Sequence, residues 1–87
     1  MAEDTLLEFP CDFPLKVMGA ATDEFRSLAL GIITRHFGPP ADGSIEERPS
    51  SGGKYLGITV IVRAESKAQL DAAYTELTSC RQVLVAL

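Results

Sequence analysis

Several residue types that common protein chemistries require are scarce or absent in this chain of 87 residues. It has only two cysteines, Cys11 and Cys80, which form no CxxC pair, and only one histidine, so a zinc site would lack its ligands. No apolar run approaches the roughly 20 residues that a membrane-spanning helix needs. We therefore predict no metal site, no cofactor and no membrane partner.

Basic residues are also in the minority, with 8 against 12 acidic residues and a net charge of −4. Because nucleic-acid affinity comes mainly from lysine and arginine side chains that neutralise phosphates, this balance argues against a nucleic-acid partner. The first residues, MAEDTLLEF, are acidic at the start and lack the basic and then apolar order of a signal peptide. We expect a cytoplasmic protein.

Hydrophobic residues make up 46% of the chain, which is enough for the compact core of one domain. A domain of this size buries only about 60–65% of the surface that its unfolded chain exposes, so its stability is marginal. Association with a second copy would add stability. A homodimer is therefore one of the expected states.

The segment from Arg48 to Ala64, RPSSGGKYLGITVIVRA, joins a turn-rich loop to a strand with two distinct faces. Its even-numbered positions from Leu56 to Val62 are apolar, whereas the odd-numbered positions from Tyr55 to Arg63 are mixed. A period of two residues with one apolar side is typical of a strand in a half-buried sheet. Helices elsewhere in the chain are expected to cover that side.

The rest of the chain supplies an N-terminal arm, two helices and three more strands. Thr22 is the expected N-cap of the first helix, which the sequence Gly38-Pro39-Pro40 ends. Ser66 and Gln69 have the spacing of a capping box at the start of the second helix. The arm covers residues 1–14, with residues 6–13 extended against the domain, and the further strands cover residues 15–19, 45–49 and 83–87.

Strand, helix, strand, strand, helix and strand follow one another, which predicts an α+β ferredoxin-like sandwich in a single domain over residues 15–87. The expected sheet has four antiparallel strands in the spatial order 4-1-3-2, with both helices on one face. The charged strand IEERP, with Pro49, suits a sheet edge. In the last strand we expect Val83, Val85 and Leu87 to point towards the helices.

Two segments, LLEFPCDFPLKVMG and RPSSGGKYLGITV, resemble the YbeD-like family of small bacterial proteins, and the resemblance extends over essentially the whole chain. It implies a fold like that of ACT regulatory domains, which bind small ligands, often amino acids, at dimer interfaces. It further implies a cytoplasmic, non-enzymatic, regulatory domain, and a link with lipoate metabolism, since family members are often encoded beside lipoate-attachment genes. No established functional residue transfers to this sequence.

One end of the predicted sheet brings together the start of the first helix, the SSGGK turn and the link before the last strand. Helix N-termini and glycine-rich turns bind anions through backbone N–H groups. A small anionic ligand is therefore one expected partner, although the turn is more simply explained as a hairpin connection whose glycines supply positive φ. The candidate ligand-binding residues are Gly19, Thr22, Ser50, Ser51, Gly52, Lys54 and Arg81.

The face of the sheet that the helices leave uncovered is the second candidate site. Met18, Ile61 and Leu84 are expected to point outward there, with Lys16, Thr59 and Arg63 on the same face. A mixed apolar and basic surface of this kind suits a partner protein or a second copy of the domain. The alternative is that the N-terminal arm covers part of it.

An enzyme on this fold would be expected to resemble acylphosphatase, with an arginine in the first strand–helix loop and an asparagine that orients water. Here that loop reads GAATDE and the chain contains no asparagine, so we predict no catalytic residues. His36 is expected to be structural, and Cys11 and Cys80 are expected at opposite ends of the sheet, out of disulfide reach. Two functions remain: a regulatory domain that binds a small anionic metabolite or amino acid, and a protein-interaction adaptor.

Overall fold

Residues 8–86 are described by the computed structural model of this chain. The elements are β1 (Cys11–Ala20), α1 (Asp23–Phe37), β2 (Ile45–Pro49), β3 (Tyr55–Ala64), α2 (Lys67–Thr78) and β4 (Val83–Ala86). The strands form one sheet in the order β2-β3-β1-β4, and every neighbouring pair is antiparallel. The predicted α+β ferredoxin-like fold and its strand order are confirmed.

The core lies between the sheet and the two helices. On the sheet side it contains alternate residues of β1 and β3, such as Leu15 and Val60, both fully buried. On the helix side it contains the apolar stripes of α1 and α2, including Phe25 and Leu77, which are also fully buried. Burying a side chain of this size contributes about 1.5–3 kcal/mol to folding. Neither of the two helices within residues 8–86 lies on the opposite face of the sheet.

Both helices begin at the predicted capping residues. Thr22 Oγ1 accepts a hydrogen bond from the N–H of Phe25 at 3.0 Å, and Ser66 Oγ accepts one from the N–H of Gln69 at 3.1 Å. Gln69 Oε1 in turn accepts from the N–H of Glu65, so this end has the reciprocal bonding of a capping box, displaced by one residue. α1 ends at Gly38, whose φ of 85° is the left-handed conformation that glycine adopts most easily.

The first strand starts at Cys11 and not at Leu15, so the predicted boundary of the arm at residue 14 is wrong. The N–H of Ala21, just after β1, donates to Lys54 O at 3.1 Å. Because bonded pairs alternate in an antiparallel ladder, the odd-numbered residues of β1 are the ones whose N–H groups point to β3. Pro14 directs its nitrogen to the other side, where β4 pairs only with residues 17–19. Its missing N–H therefore removes no bond between strands. Residues 1–7 of the predicted arm lie outside the described residues.

An irregularity in β4 overturns the predicted faces of that strand. Ala86 is opposite Val17, Val85 is opposite Met18 and Val83 is opposite Gly19, so Leu84 is the extra residue of a bulge. Val85 therefore lies on the uncovered side of the sheet beside Met18, and not towards the helices as expected. Leu87 lies outside the described residues.

Two further expectations concern covalent links and membranes. Both cysteines are free thiols, as predicted. Neither helix within residues 8–86 combines the length and the apolar character that crossing a membrane requires.

Candidate functional site

The predicted ligand site at one end of the sheet is assembled from the expected segments. The turn at residues 50–54 contacts the start of α1 through the bond from Ala21 N–H to Lys54 O, 3.1 Å long. The link before β4 contacts the end of β1, because a Cβ atom added to Gly19 would lie 2.3 Å from the backbone oxygen of Gln82. Arg81, the residue before Gln82, is thereby placed at the same end of the sheet as Lys54.

Most of the polar groups at this end are already used by the fold. Thr22 Oγ1 caps α1. Ser50 Oγ accepts a hydrogen bond from the N–H of Tyr55 at 3.1 Å, and the Ser50 N–H donates to Tyr55 O at 2.9 Å. Gly52 and Gly53 have φ values of 94° and 71°, which a tight hairpin turn requires. The geometry therefore explains the glycines as hairpin residues.

Ser51, Lys54 and Arg81 remain available at this end. All three residues are exposed, and neither cation forms an ion pair with any residue between 8 and 86. Two cations near a helix N-terminus retain some capacity for an anion.

A concave feature lies instead on the side of the sheet that neither α1 nor α2 covers, which we call the open face. A groove of about 450 Å³ runs across all four strands there. Its floor is at Gly57, which is opposite Met18 on β1 and opposite Arg48 on β2. The lining residues are Lys16, Val17, Met18, Glu46, Arg48, Pro49, Ser50, Tyr55, Gly57, Ile58, Thr59 and Val85.

Large apolar side chains surround this groove. Met18, Tyr55, Ile61 and Val85 lie on the open face with 42%, 39%, 44% and 46% of their surface exposed. Leu84, the bulge residue, is 58% exposed. Neither Leu84 nor Ile61 is among the residues that line the groove. The predicted partner-binding residues Met18 and Ile61 thus belong to a larger apolar surface.

The open face carries two ion pairs, and also one lysine that has no ionic partner among residues 8–86. Arg48 pairs with Glu46 at 3.1 Å, and Arg63 pairs with Asp12 at 3.2 Å. Lys16 forms no hydrogen bond or ion pair with the residues that the structure describes. Sequence reasoning placed Lys16 on this face but did not include Glu46, Arg48 or Gly57 among the site residues. The sequence signal for a groove was Gly57 itself, because it is the single glycine among the outward residues of the third strand and leaves a gap there.

His36 belongs to a cluster between the helices. Its Nε2 lies 2.8 Å from Oε1 of Glu76, Arg35 also donates to both carboxylate oxygens of Glu76, and Gln69 Nε2 donates to His36 O at 2.7 Å. The hydrogen bond from Arg35, and after it that from His36, lowers the pKa of Glu76 below its ordinary value. These contacts tie the C-terminal end of α1 to α2, which is the structural role expected for His36.

Comparison with known proteins agrees with the resemblance seen in the sequence. The family model described as "Protein of unknown function (DUF493)" matches residues 4–87. A UPF0250 protein of Ralstonia nicotianae is 48% identical over 97% of this chain and 87% of its own length. A UPF0250 protein of Paraburkholderia phytofirmans is 48% identical over 97% and 94%, and one of Neisseria meningitidis is 47% identical over 95% and 91%.

Proposed function

Because this chain belongs to the DUF493 family, described as proteins of unknown function, we propose its role from geometry: it is a non-enzymatic interaction domain that binds a partner protein on its open face. The observation that carries this proposal is the open face itself. It combines a groove across four strands with exposed apolar side chains, including Met18 and Ile61. Exposed apolar surfaces with a charged rim are typical of sites where proteins associate.

The polar clusters of the described residues support a non-enzymatic role. The one histidine and its neighbours Arg35 and Glu76 are committed to bonds between the two helices. Within residues 8–86, no group of three His, Cys, Asp or Glu side chains could hold a metal ion. Residues of the open face other than its ion pairs are mostly apolar, which suits binding by burial of surface.

An aspartate at position 61 tests this proposal. Ile61→Asp places a charge on the apolar part of the open face, where desolvation on binding would be costly. Immobilised wild-type chain and the variant are compared for the proteins that they retain from a cell extract, and each retained protein is then measured in purified form. We expect at least a tenfold weaker affinity for Ile61→Asp, with an unchanged melting temperature.

Ile45→Asp is the matched control for this experiment. Ile45 is similarly exposed, at 38% against 44% for Ile61, but it is opposite the inward residue Val60 and so lies away from the open face. The control should retain the same partners as the wild type. Identical partners and affinities for all three chains would exclude the open face as the binding surface.

Filling the groove provides a second test, in which partner affinity should fall although the stability of the chain does not. A Cβ at Gly57 would lie 3.6 Å from Arg48 O, an ordinary contact, so a side chain is tolerated there. Gly57→Val adds a β-branched residue to a strand interior and should preserve or raise the free energy of unfolding. It should nevertheless weaken the partner affinity, because it raises the groove floor between Met18 and Arg48.

A small anionic ligand at the end of the sheet is a second candidate function, favoured by the unpaired cations Lys54 and Arg81. It corresponds to a regulatory domain, and the link with lipoate metabolism that the family resemblance implies makes lipoate, an apolar carboxylate, the first ligand to test. A ligand at a hundredfold excess over its Kd would stabilise the chain by about 2.7 kcal/mol. The double variant Lys54→Ala and Arg81→Ala should abolish this shift. No shift with lipoate, amino acids or phosphate would exclude the candidate.

A further inference from the structure

We propose that the open face binds a second copy of this chain, so that two sheets pack against each other in a symmetric dimer. This inference rests on the proposed function, because it uses the same face and names the partner. One row of residues that crosses three strands carries it: Lys16 on β1, Thr59 on β3 and Glu46 on β2.

The strand register makes this row symmetrical about β3. Lys16 and Glu46 are both opposite Thr59, so they lie at the same height along the strands, each about 4.8 Å to one side of β3. A twofold axis that runs between two facing sheets, parallel to β3, preserves the height and exchanges the two sides. Lys16 of each copy is thereby placed over Glu46 of the other.

The twofold rotation brings opposite charges of this row together, Lys16 of one copy and Glu46 of the other. Lys16 has no ionic partner among residues 8–86, and the dimer supplies one. Among residues 8–86, the ion pair that Glu46 forms is with Arg48, through side chains that are 66% and 80% exposed, so Glu46 can bind Lys16 of the other copy without losing a buried bond. Two identical ion pairs then form across the interface, in a setting less exposed to water than either surface alone.

The apolar residues of the open face fit the same arrangement. Gly57 of one copy faces Gly57 of the other, which leaves the two grooves open to side chains that flank them. Met18 lies over Arg48 of the second copy, whose aliphatic stem can cover it. Ile61 packs on Ile61 of the second copy. Arg63 also faces Arg63 of the second copy, but each of the two arginines pairs with Asp12 of its own chain at 3.2 Å, which offsets its charge.

The size of the open face sets the expected strength of the dimer. In this arrangement β3 lies over β3 of the second copy and each β1 lies over the five residues of β2, so about 20 residues of each copy cover roughly 320 Å² of sheet plane at about 3.3 Å per residue and about 4.8 Å between strands. Stable interfaces bury about 800 Å² on each partner. We therefore expect a dimer that dissociates on dilution.

Charge reversal and charge exchange test the dimer. Sedimentation equilibrium is measured over a thousandfold range of concentration for the wild type, Lys16→Glu, Glu46→Lys and the double variant with both changes. We expect the wild type to dimerise, each single reversal to raise the dimer Kd at least tenfold, and the exchanged pair to restore it to within about threefold. Lys67→Glu, the same charge change on α2 and away from the open face, should leave the Kd unchanged. Far-UV circular dichroism checks that every variant is folded.

Two outcomes would overturn the dimer. One is a wild-type chain that stays monomeric at every concentration, and the other is a double variant that is weakened by the sum of the two single effects. Both are distinguishable from failure of the proposed function. If the wild type is monomeric while Ile61→Asp loses a protein partner, the open face binds a different protein. If the exchange restores the dimer while Ile61→Asp retains every other partner, the open face serves self-association.

Discussion

Gly19 occupies a position where the fold leaves no room for a side chain. A Cβ atom at this position would lie 2.3 Å from the backbone oxygen of Gln82 and 2.4 Å from the ring of Phe25. The ring of Phe25 is fully buried and the oxygen belongs to the main chain, so neither can move freely. Gly19, predicted as a ligand residue, is thus a packing residue at the junction of β1, α1 and the link to β4.

Replacing Gly19 by alanine should therefore destabilise the chain. We expect Gly19→Ala to lower the free energy of unfolding by about 1–3 kcal/mol, the usual range for overpacking a core. Urea denaturation followed by circular dichroism measures this change.

Gly31 offers a matched control within the same chain. It is an exposed residue of α1, and a Cβ added there would meet no atom within 4 Å. Gly31→Ala should stabilise the chain by up to about 1 kcal/mol, because alanine loses less conformational entropy than glycine when a helix forms. Equal effects of the two substitutions would contradict the packing role of Gly19.

At the scale of elements, prolines protect both edges of the sheet. Pro14 directs its nitrogen to the part of β1 that β4 does not cover. Pro49 directs its nitrogen away from β3, because the N–H of its neighbour Ser50 donates to Tyr55 O. An edge position without an N–H donor is a poor template for another strand. The sequence alone indicated edge protection at Pro49 but not at Pro14, since only the length of β4 reveals that β1 is partly an edge.

Substituting Pro14 should expose this edge to pairing. Pro14→Val restores a donor on the free side of β1 in a residue type that favours strands. We expect the free energy of unfolding to change by less than about 1 kcal/mol, whereas light scattering should reveal larger species at high concentration. Pro39→Val, the same change in the exposed loop after α1, should scatter light like the wild type. Scattering equal in both variants would show that Pro14 has no protective role.

The contact between the helices should make stability depend on acidity. The hydrogen bond from Arg35, followed by that from His36, lowers the pKa of Glu76 below its ordinary value of 4.5. Since the unfolded chain then binds the proton more readily, the stability that Glu76 contributes is complete above pH 4.5 and is lost as the pH falls through the lowered pKa. Glu76→Gln cannot titrate, so its urea midpoint should fall less than that of the wild type between about pH 6 and about pH 3.

Glu65 supplies the control for this pH experiment. It is an exposed glutamate just before α2 and takes no part in the Arg35–His36–Glu76 cluster. Glu65→Gln should follow the wild-type dependence on pH. Parallel curves for Glu76→Gln and the wild type would contradict a contribution from the contact between the helices.

At the scale of the whole molecule, the sheet order was predictable because the succession of strands and helices allows two interlocked right-handed crossovers. The buried faces of β1 and β3 were predictable because both strands alternate between apolar and mixed residues. The register of β4, and with it the direction of its side chains, was not predictable, because Val83, Leu84 and Val85 are all apolar and show no alternation that fixes a register. The anion site was overestimated since the sequence shows donors and acceptors, such as Thr22 and Ser50, without the partners that occupy them. The groove was missed because residues of four strands line it together.

The last consequence of the fold is that one core must unfold as a unit. Leu77 of α2 and Val17 of β1 belong to the same buried cluster, which also includes residues of α1, β3 and β4. Removing a side chain from any of these elements should therefore lower the stability of all of them. We expect Leu77→Ala to lower the free energy of unfolding by about 2–5 kcal/mol, a large fraction of the total for a domain of this size.

Two probes with different locations can measure this cooperativity. Circular dichroism follows the backbone of the whole chain, while tyrosine fluorescence includes Tyr74, which packs against the core from α2. Both midpoints should shift together in Leu77→Ala at a concentration low enough to keep the chain monomeric, and the exposed neighbour Thr75→Ala should stay within about 0.5 kcal/mol of the wild type. Two separate transitions would mean that α2 and the sheet unfold independently, because a shared core permits only one.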